Sequence, residues 1–527
     1  MTKTCCGRSP AGYTIMLQGT ASDVGKSLLT AALCRILLQD GYRVAPFKSQ
    51  NMSLNSCVTP DGREIGRAQG MQADACRIPA TTDMNPILLK PKKDMVAQVV
   101  VHGKPLRDYD ARAYREQYLP EAGRIVREAL GRLKAAYDVV VLEGAGSPAE
   151  INLKDRDIVN MRMAAWADAP VLLVADIDRG GVFASIVGTL ELLEPEERDR
   201  VRGFIINKFR GDVSLLQPGI DWLERRTGKP VLGVVPYLPG LELEDEDSAS
   251  LDAQLAGRRG AGAGPDGDGG PKLDIAVVRL PRLSNFTDFD PFRGEPDVAL
   301  RYVSRPEELG APDAIILPGS KNTVDDLRHL RESGLASALE AYANSLRGRI
   351  VGICAGYQML GRRLLDPLLV ESDMPELEGL GLLPGVTEFA PDKRTVVAEG
   401  EARLPGWDAP VPVEGYEIHM GRTAYDSEVT QPFRLRPSGS REPYSPDGAA
   451  TADGRIWGTY LHGVFQGDEF RRAWLNAIRR DRGLCELPVA YRYRERREAA
   501  FDRLADHVRR HADMKRIYSI IRREPHA

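Results

Sequence analysis

Between Tyr13 and Pro236, short and almost wholly apolar runs alternate with longer segments of helical character. The runs are "YTIML", "YRVAPF", "AQVVV", "DVVVLE", "PVLLVAD", "GFIIN" and "VLGVV". A strand that stays apolar on both faces must be covered on both, which is the condition of a strand inside a parallel sheet flanked by helices. The pattern predicts a doubly wound, mainly parallel α/β domain. It restarts with "LDIAVV", "DAIILPG", "RIVGIC" and, much later, "RIWGTY", which predicts a second α/β domain. Between the two lies "GRRGAGAGPDGDGGPK", residues 257–272, whose glycines would lose much entropy on ordering and whose few apolar groups cannot offset that loss. A chain of 527 residues is too long for one ordinary core, so two large domains are expected. The boundaries read as a first domain over 1–240, an acidic and then glycine-rich linker over 241–272, a second domain over 273–490, and a basic tail over 491–527. The tail reads as helix that packs one apolar face and exposes the other.

Composition excludes several classes of function. With 43% hydrophobic and 28% charged residues, a formal net charge of -4 and a pI near 6.1, the chain is not built as a general nucleic-acid binder. The amino terminus lacks a charged-then-apolar signal pattern, and no apolar stretch approaches the roughly 18 residues that a membrane helix needs. A cytoplasmic location is expected, with no membrane partner. Seven cysteines without repeated spacing fit reduced thiols better than a disulfide framework or a zinc site. Nothing in the pattern sets the oligomeric state, and a homo-oligomer is compatible with it.

"LQGTASDVGKSLLTAALCRIL" begins at the end of the first predicted strand and runs into a helix. Gly19, Thr20, Gly25, Lys26 and Ser27 form a phosphate-loop pattern. In such loops backbone amides and a helix start hold phosphate oxygens, lysine supplies charge and serine ligates magnesium. The spacing departs from the usual one by a residue, but strand, glycine loop, Lys-Ser and helix follow in the required order. "VVVLEGAGS" puts Glu143 at the end of a buried strand, where α/β sheets present ligands, and a carboxylate there suits Mg2+. Asp176, Asp178 and Arg179 in "VADIDRGGVFAS" occupy another strand end, either as an anion or magnesium-water loop or as a structural turn. Asn207 ends the run "FIIN" and is either a base-reading side chain or a turn cap.

"GICAG" follows the pattern of a nucleophile elbow with a thiol as the nucleophile. Small residues on either side let a strand turn tightly into a helix and leave the Cys354 sulfur at the turn, where a thiolate is favoured. "GTYLHGVF" offers His462 as the base at the end of a late strand, and "IILPGSKNT" offers Gly319 and Ser320, whose amides are placed to stabilise an oxyanion. The triplet at the histidine is His462, Gly463, Val464, so no acid follows it at the second position. Glu417 and His419 in "GYEIHMG" are candidates for a supporting role.

These motifs carry resemblances. The loop "GTASDVGKS" resembles that of the dethiobiotin synthetase-like ATPases, in which ATP activates a carboxylate. That resemblance implies ATP as co-substrate and assigns Asn207 to the adenine edge. Cysteine, histidine and oxyanion loop in this order resemble a class I glutamine amidotransferase domain, which hydrolyses glutamine through a thioester. The pairing, with the triad glutamate absent, is similar to the cobalamin-pathway amidotransferases. "FKSQNMSLNS", "MNPILLKP", "DIDRGGVFAS", "LPGSKNT" and "EGYEIHMGRT" resemble the cobyric acid synthase type over nearly the whole chain. The resemblance implies ATP- and glutamine-dependent amidation of the b, d, e and g carboxylates of adenosylcobyrinic acid a,c-diamide, a corrinoid. The related cobyrinic acid a,c-diamide synthases usually carry an aspartate-bearing "GPDYID" after the second strand, where this chain reads "SQNMSLN". The alternatives are such a diamide synthase, a MinD-like ATPase with a non-catalytic second domain, and a regulatory protein with a degenerate glutaminase.

Overall fold

The computed structural model describes residues 12–93, 96–110, 118–244, 271–345 and 348–524; most of the segment read as a linker lies outside the described residues. The chain forms two compact units. Unit 1 is Met1–Ser53, Glu64–Glu246 and Arg497–Ala527, and unit 2 is Leu54–Arg63 and Asp247–Arg496.

Unit 1 is built on a six-stranded sheet of β1 (Tyr13–Gly19), β2 (Val44–Phe47), β3 (Val139–Glu143), β4 (Val171–Asp176), β5 (Val201–Phe209) and β6 (Val231–Pro236), in the order β6-β5-β4-β1-β3-β2. Every pairing in it is parallel. Alternate residues of each strand feed two separate cores. Ile15, Leu17, Val139, Val141, Leu172 and Val174 face one side, and Met16, Val140, Leu142, Leu173 and Ala175 the other. The first side is covered by α1 (Lys26–Gln39) and α2 (Arg67–Ala75), the second by α3 (Leu119–Ala136) with later helices. β1 has β3 on one side and β4 on the other, so the winding reverses at β1 and opens a crevice at the carboxyl ends of the strands. The run "AQVVV" departs from expectation. It belongs to Val96–Val101, which pairs antiparallel with Ile87–Lys93 and Lys104–Asp110 in a separate small sheet. A short apolar run signals a covered strand but carries no information about which sheet covers it.

The tail folds as α6 (Tyr493–His511) and α7 (Met514–Arg522). Phe501, Leu504, Val508, Ile517, Ile520 and Ile521 enter the same core as α1. Polar contacts fix this cover. Arg35, buried in α1, bonds Glu498 and Asp502 at 2.5 and 2.8 Å, and Glu244 lies between Arg67 and Arg497 at 2.7 and 2.9 Å. Burial alone would raise the Glu244 pKa, but Arg497 and Arg67 outweigh it and hold it at about 2. A depressed carboxylate pKa stabilises the fold above the ordinary value of 4.5, and this contribution is lost as pH falls towards about 2.

Unit 2 has its own six-stranded sheet, formed by β7 (Leu273–Val278), β8 (Val298–Val303), β9 (Ala314–Leu317), β10 (Ile350–Ile353), β13 (Ala449–Ala450) and β14 (Ile456–Thr459), in the order β8-β7-β9-β10-β14-β13. Only the edge pair of β13 with β14 is antiparallel. A second, largely antiparallel sheet is dominated by the long hairpin of β11 (Val386–Ala402) and β12 (Val411–Ala424). The helices that matter for the site are α4 (Thr323–Glu332) and α5 (Ala355–Leu360).

Phe501→Ala removes a fully buried ring from the tail and is expected to destabilise the protein by about 3–5 kcal/mol. The measurement is the urea midpoint, and a midpoint equal to wild type would show that the tail is no part of the folded core.

Candidate active sites

The first site forms where β1 gives way to α1. Gly25 is held at φ 94°, and a β-carbon there would overlap the Asn207 amide, so the loop needs glycine at that point. Lys26 Nζ folds back over the loop, donating to Ala21 O at 2.9 Å and to Gly146 O at 3.2 Å. The Ser27 hydroxyl donates to Glu143 Oε1 at 2.8 Å, which joins the start of α1 to the end of β3. Gly19, Thr20, Gly25, Lys26, Ser27 and Glu143 are therefore brought to one strand edge. Asn207, at the end of β5, is there as well, and its Nδ2 donates to Val24 O at 2.8 Å, bracing the loop. Asp176 and Asp178 are engaged by cations instead. Lys208 lies 2.9 Å from Asp176, Arg179 lies 3.7 Å from Asp176, and Arg210 lies 3.0 Å from Asp178.

Two residues of this site carry no mark in the sequence motifs. Lys48, just past β2 and almost wholly buried, donates to Glu143 Oε1 at 2.9 Å, while Gln72 of α2 donates to Oε2 at 2.5 Å. The lysine immediately precedes the acid-free stretch Ser49–Asn55, so the buried carboxylate is met there by a cation. Among the described residues no group of three or more His, Cys, Asp or Glu side chains is arranged to hold a metal. One carboxylate and one hydroxyl do adjoin, and that donor set fits a magnesium that takes its remaining ligands from phosphates and water.

The second site forms where β9, β10 and β14, neighbours in the sheet of unit 2, end on the same edge. Cys354 follows β10 with φ 52° and ψ -106°, a strained conformation for a residue with a side chain. A β-carbon on Gly356 would overlap the Leu317 carbonyl oxygen, so the start of α5 can pack on β9 only with glycine there. The Cys354 amide donates to Thr459 O of β14 at 2.8 Å, tying the elbow to the strand that leads to His462. His462, 1% exposed, lies near enough to Cys354 for the two charges to interact and stacks on Tyr416 of β12 with ring centroids 5.2 Å apart, while the Cys354 thiol donates to Ile418 O at 3.8 Å. Gly319 lies against the imidazole, since a β-carbon on it would sit 2.9 Å from His462 Cε1. Ser320 is turned away, its hydroxyl donating to Asp326 Oδ2 at 2.6 Å. Burial pushes the Asp326 carboxyl up to about 6, against the opposing bonds from Ser320 and the Arg282 amide.

The motif around His462 contains no acid, which fits either a dyad or an orienting group from elsewhere in the chain. The structure supplies Asp288, whose Oδ2 lies 2.7 Å from His462 Nδ1 and whose Oδ1 accepts the Gly463 amide at 3.0 Å. Burial would lower the His462 pKa, but the charge of Asp288 and then that of Cys354 outweigh it and hold it at about 10. No motif marks Asp288, which stands 174 residues before its partner in a segment without catalytic pattern. Glu417 and His419 form a cluster of their own. Glu417 accepts from Arg394 at 2.6 Å and pairs with His419 at 3.2 Å, and the His419 ring stacks on Tyr460.

A phosphate cradle at the switch point of one α/β unit, with a cysteine elbow, histidine and acid at the sheet edge of another, is the arrangement of a nucleotide-binding glutamine amidotransferase. Residues 15–251 match the CobQ/CobB/MinD/ParA nucleotide binding domain, and residues 274–470 match the CobB/CobQ-like glutamine amidotransferase domain. The chain is 51% identical over 508 residues to the cobyric acid synthase of Geobacillus kaustophilus, covering 96% of this chain and 97% of that protein. It is 53% identical over 519 residues to the cobyric acid synthase of Citrobacter koseri, covering 97% and 99%. The chain belongs to the cobyric acid synthase family, and it is an enzyme. Among the described residues no helix is long and apolar enough to cross a membrane.

If Lys48 and Glu143 compensate each other's buried charge, Lys48→Met alone should cost about 3–5 kcal/mol, and Lys48→Met with Glu143→Gln should recover part of that loss. Urea denaturation of the single and double variants measures the coupling. A coupling energy near zero would show that the two charges are independent.

Proposed function

We propose that the protein amidates the b, d, e and g side-chain carboxylates of adenosylcobyrinic acid a,c-diamide to give adenosylcobyric acid, consuming ATP and glutamine. The observation that carries this reading is the presence, on one chain, of the Lys26–Ser27–Glu143 cradle and the Cys354–His462 pair. Each supplies what the other's reaction lacks. A carboxylate is a poor electrophile, and ammonia at neutral pH is mostly ammonium, which has no lone pair with which to attack.

In unit 1 a substrate carboxylate oxygen would attack the γ-phosphorus of ATP, ADP would leave, and an acyl phosphate would form. Lys26 and Lys48 place positive charge about the loop, and the backbone from Gly19 to Gly25 forms the cradle, which is how phosphoryl transfer is stabilised. Ser27 and Glu143 are the oxygen donors that would hold Mg2+, which when bound would neutralise phosphate charge. Asn207 and the loop it braces would take the adenine end. Ammonia would then attack the acyl carbon and phosphate would leave, giving the amide.

In unit 2 the Cys354 thiolate would attack the carboxamide carbon of glutamine, with the Gly319 and Ser320 amides stabilising the oxyanion. His462 would give its proton to the departing ammonia, leaving a thioester. It would then take a proton from the water that releases glutamate. Cys34, Cys76, Cys354 and Cys485 carry free thiols, which supports a reducing compartment, the cytoplasm.

The test is mass spectrometry of the corrinoid after incubation with ATP, magnesium and either glutamine or ammonium. Lys26→Ala should abolish amide formation with both nitrogen sources, because activation precedes attack by either. Cys354→Ser should abolish it with glutamine and keep it with ammonium at raised pH. Product from Lys26→Ala with ammonium would refute the phosphate-loop assignment, and unchanged glutamine use by Cys354→Ser would refute the nucleophile.

A further inference from the structure

The segment that carries Asp288 is built to hold one side chain still. Asn285, at φ 53°, starts the tight turn Phe286–Phe289, which runs into the short helix Asp290–Arg293. Phe286, Phe289 and Phe292 are 1% exposed or less and anchor the turn in the core of unit 2. Asp288 lies among them, 2% exposed, an arrangement that would be costly for a carboxylate without partners. Both of its oxygens are used, one on the His462 ring and one on the next residue's amide, so it grips the histidine and its backbone together.

A second layer holds the turn. The Asn55 side-chain oxygen accepts the Phe286 amide at 3.3 Å, and the Asn285 side-chain oxygen accepts the Ser56 amide at 2.9 Å. Val58 packs on Tyr416 and Ile418, and Tyr416 is the ring stacked on His462. The excursion Leu54–Arg63 thus braces the acid on one side and the imidazole on the other, all within unit 2.

We infer that Asp288 is the positioning acid of the glutaminase relay, taking the place of the glutamate missing after the histidine, and that Asn55 secures the turn that carries it. With Nδ1 committed to Asp288, Nε2 is the ring nitrogen that remains to serve Cys354, and the carboxylate stabilises the imidazolium. The side chains that meet the imidazole are Asp288 from the turn, Cys354 from the elbow and Tyr416 from β12, with Gly319 alongside. Asp288 is the one carboxylate among them. The inference rests on the reading of Cys354 as nucleophile.

The test compares Asp288→Asn, Asp288→Glu, Asn55→Ala and Cys354→Ser in the full chain, by glutamate release and by amide formation from ammonium. In Asp288→Asn glutamate release should fall about 10²–10⁴-fold, mostly in kcat. Asp288→Glu should recover part of it, and Asn55→Ala should show a smaller loss in kcat. A merely structural role would not shift the protonation of His462. NMR of histidine-labelled protein should show its imidazolium deprotonating at least about one pH unit lower in Asp288→Asn, because the stabilising charge is gone. Wild-type glutamate release with an unmoved imidazole titration in Asp288→Asn would overturn the inference, as would equal loss in Asp288→Asn and Asp288→Glu with the titration unmoved. Glutamine use retained by Cys354→Ser would instead overturn the nucleophile reading.

Discussion

In a parallel sheet all strands end on one edge, so the residues that follow them are gathered there whatever their separation in sequence. Both candidate sites depend on that constraint. In unit 1 the edge collects the loop after β1, Lys48 after β2, Glu143 at the end of β3 and Asn207 in β5. In unit 2 it collects Gly319 after β9, Cys354 after β10 and His462 after β14. Helices on both faces bury the strands, and the edge is then the place where backbone ends and polar side chains can meet a ligand. The basic tail belongs to this scheme because it completes the cover over one face of the sheet beneath the phosphate loop.

The same sheet edge also brings charge out of water, and each site answers with a compensating partner. Glu143 is buried against Lys48 and Gln72, and Asp288 against His462 and the Gly463 amide. The two pairings do different work. In the first, a buried lysine and the Ser27 hydroxyl both meet the Glu143 carboxylate, which sets oxygen atoms beside the phosphate cradle. In the second, the charge of Asp288 holds a proton on the buried imidazole of His462. Removing the charge of either partner would weaken the compensation of the other's, so both sites are sensitive to substitutions that preserve shape but not charge.

What was legible in the sequence follows from these facts. The six strands of the unit 1 sheet and β7, β9, β10 and β14 of unit 2 are marked by continuous apolarity, whereas the edge strands β8 and β13 are not; the loops at Gly25 and Cys354 are marked by small residues that the backbone geometry requires. Features defined by packing between distant segments left no local trace. "AQVVV" is as apolar as a central strand and belongs to another sheet. Lys48 and Asp288 are single charged residues whose meaning lies in partners 95 and 174 positions away. The place of Leu54–Arg63 in unit 2 is equally silent in composition. The lack of an acid beside His462 was visible, but its replacement is a matter of tertiary structure alone.

That replacement changes what the relay depends on. An acid two residues from its histidine shares a loop with it, and the loop's own backbone fixes their geometry. Asp288 sits on a separate turn, so its distance to His462 is set by how Phe286, Phe289 and Phe292 fill the core and by the reciprocal bonds of Asn55 and Asn285. The excursion carrying Asn55 leaves unit 1 after Ser53 and returns to it at Glu64. The position of Asp288 against His462 is therefore a property of the whole segment. A local relay would survive loosening of that packing, whereas this one loses its acid as soon as the turn shifts by the length of a hydrogen bond.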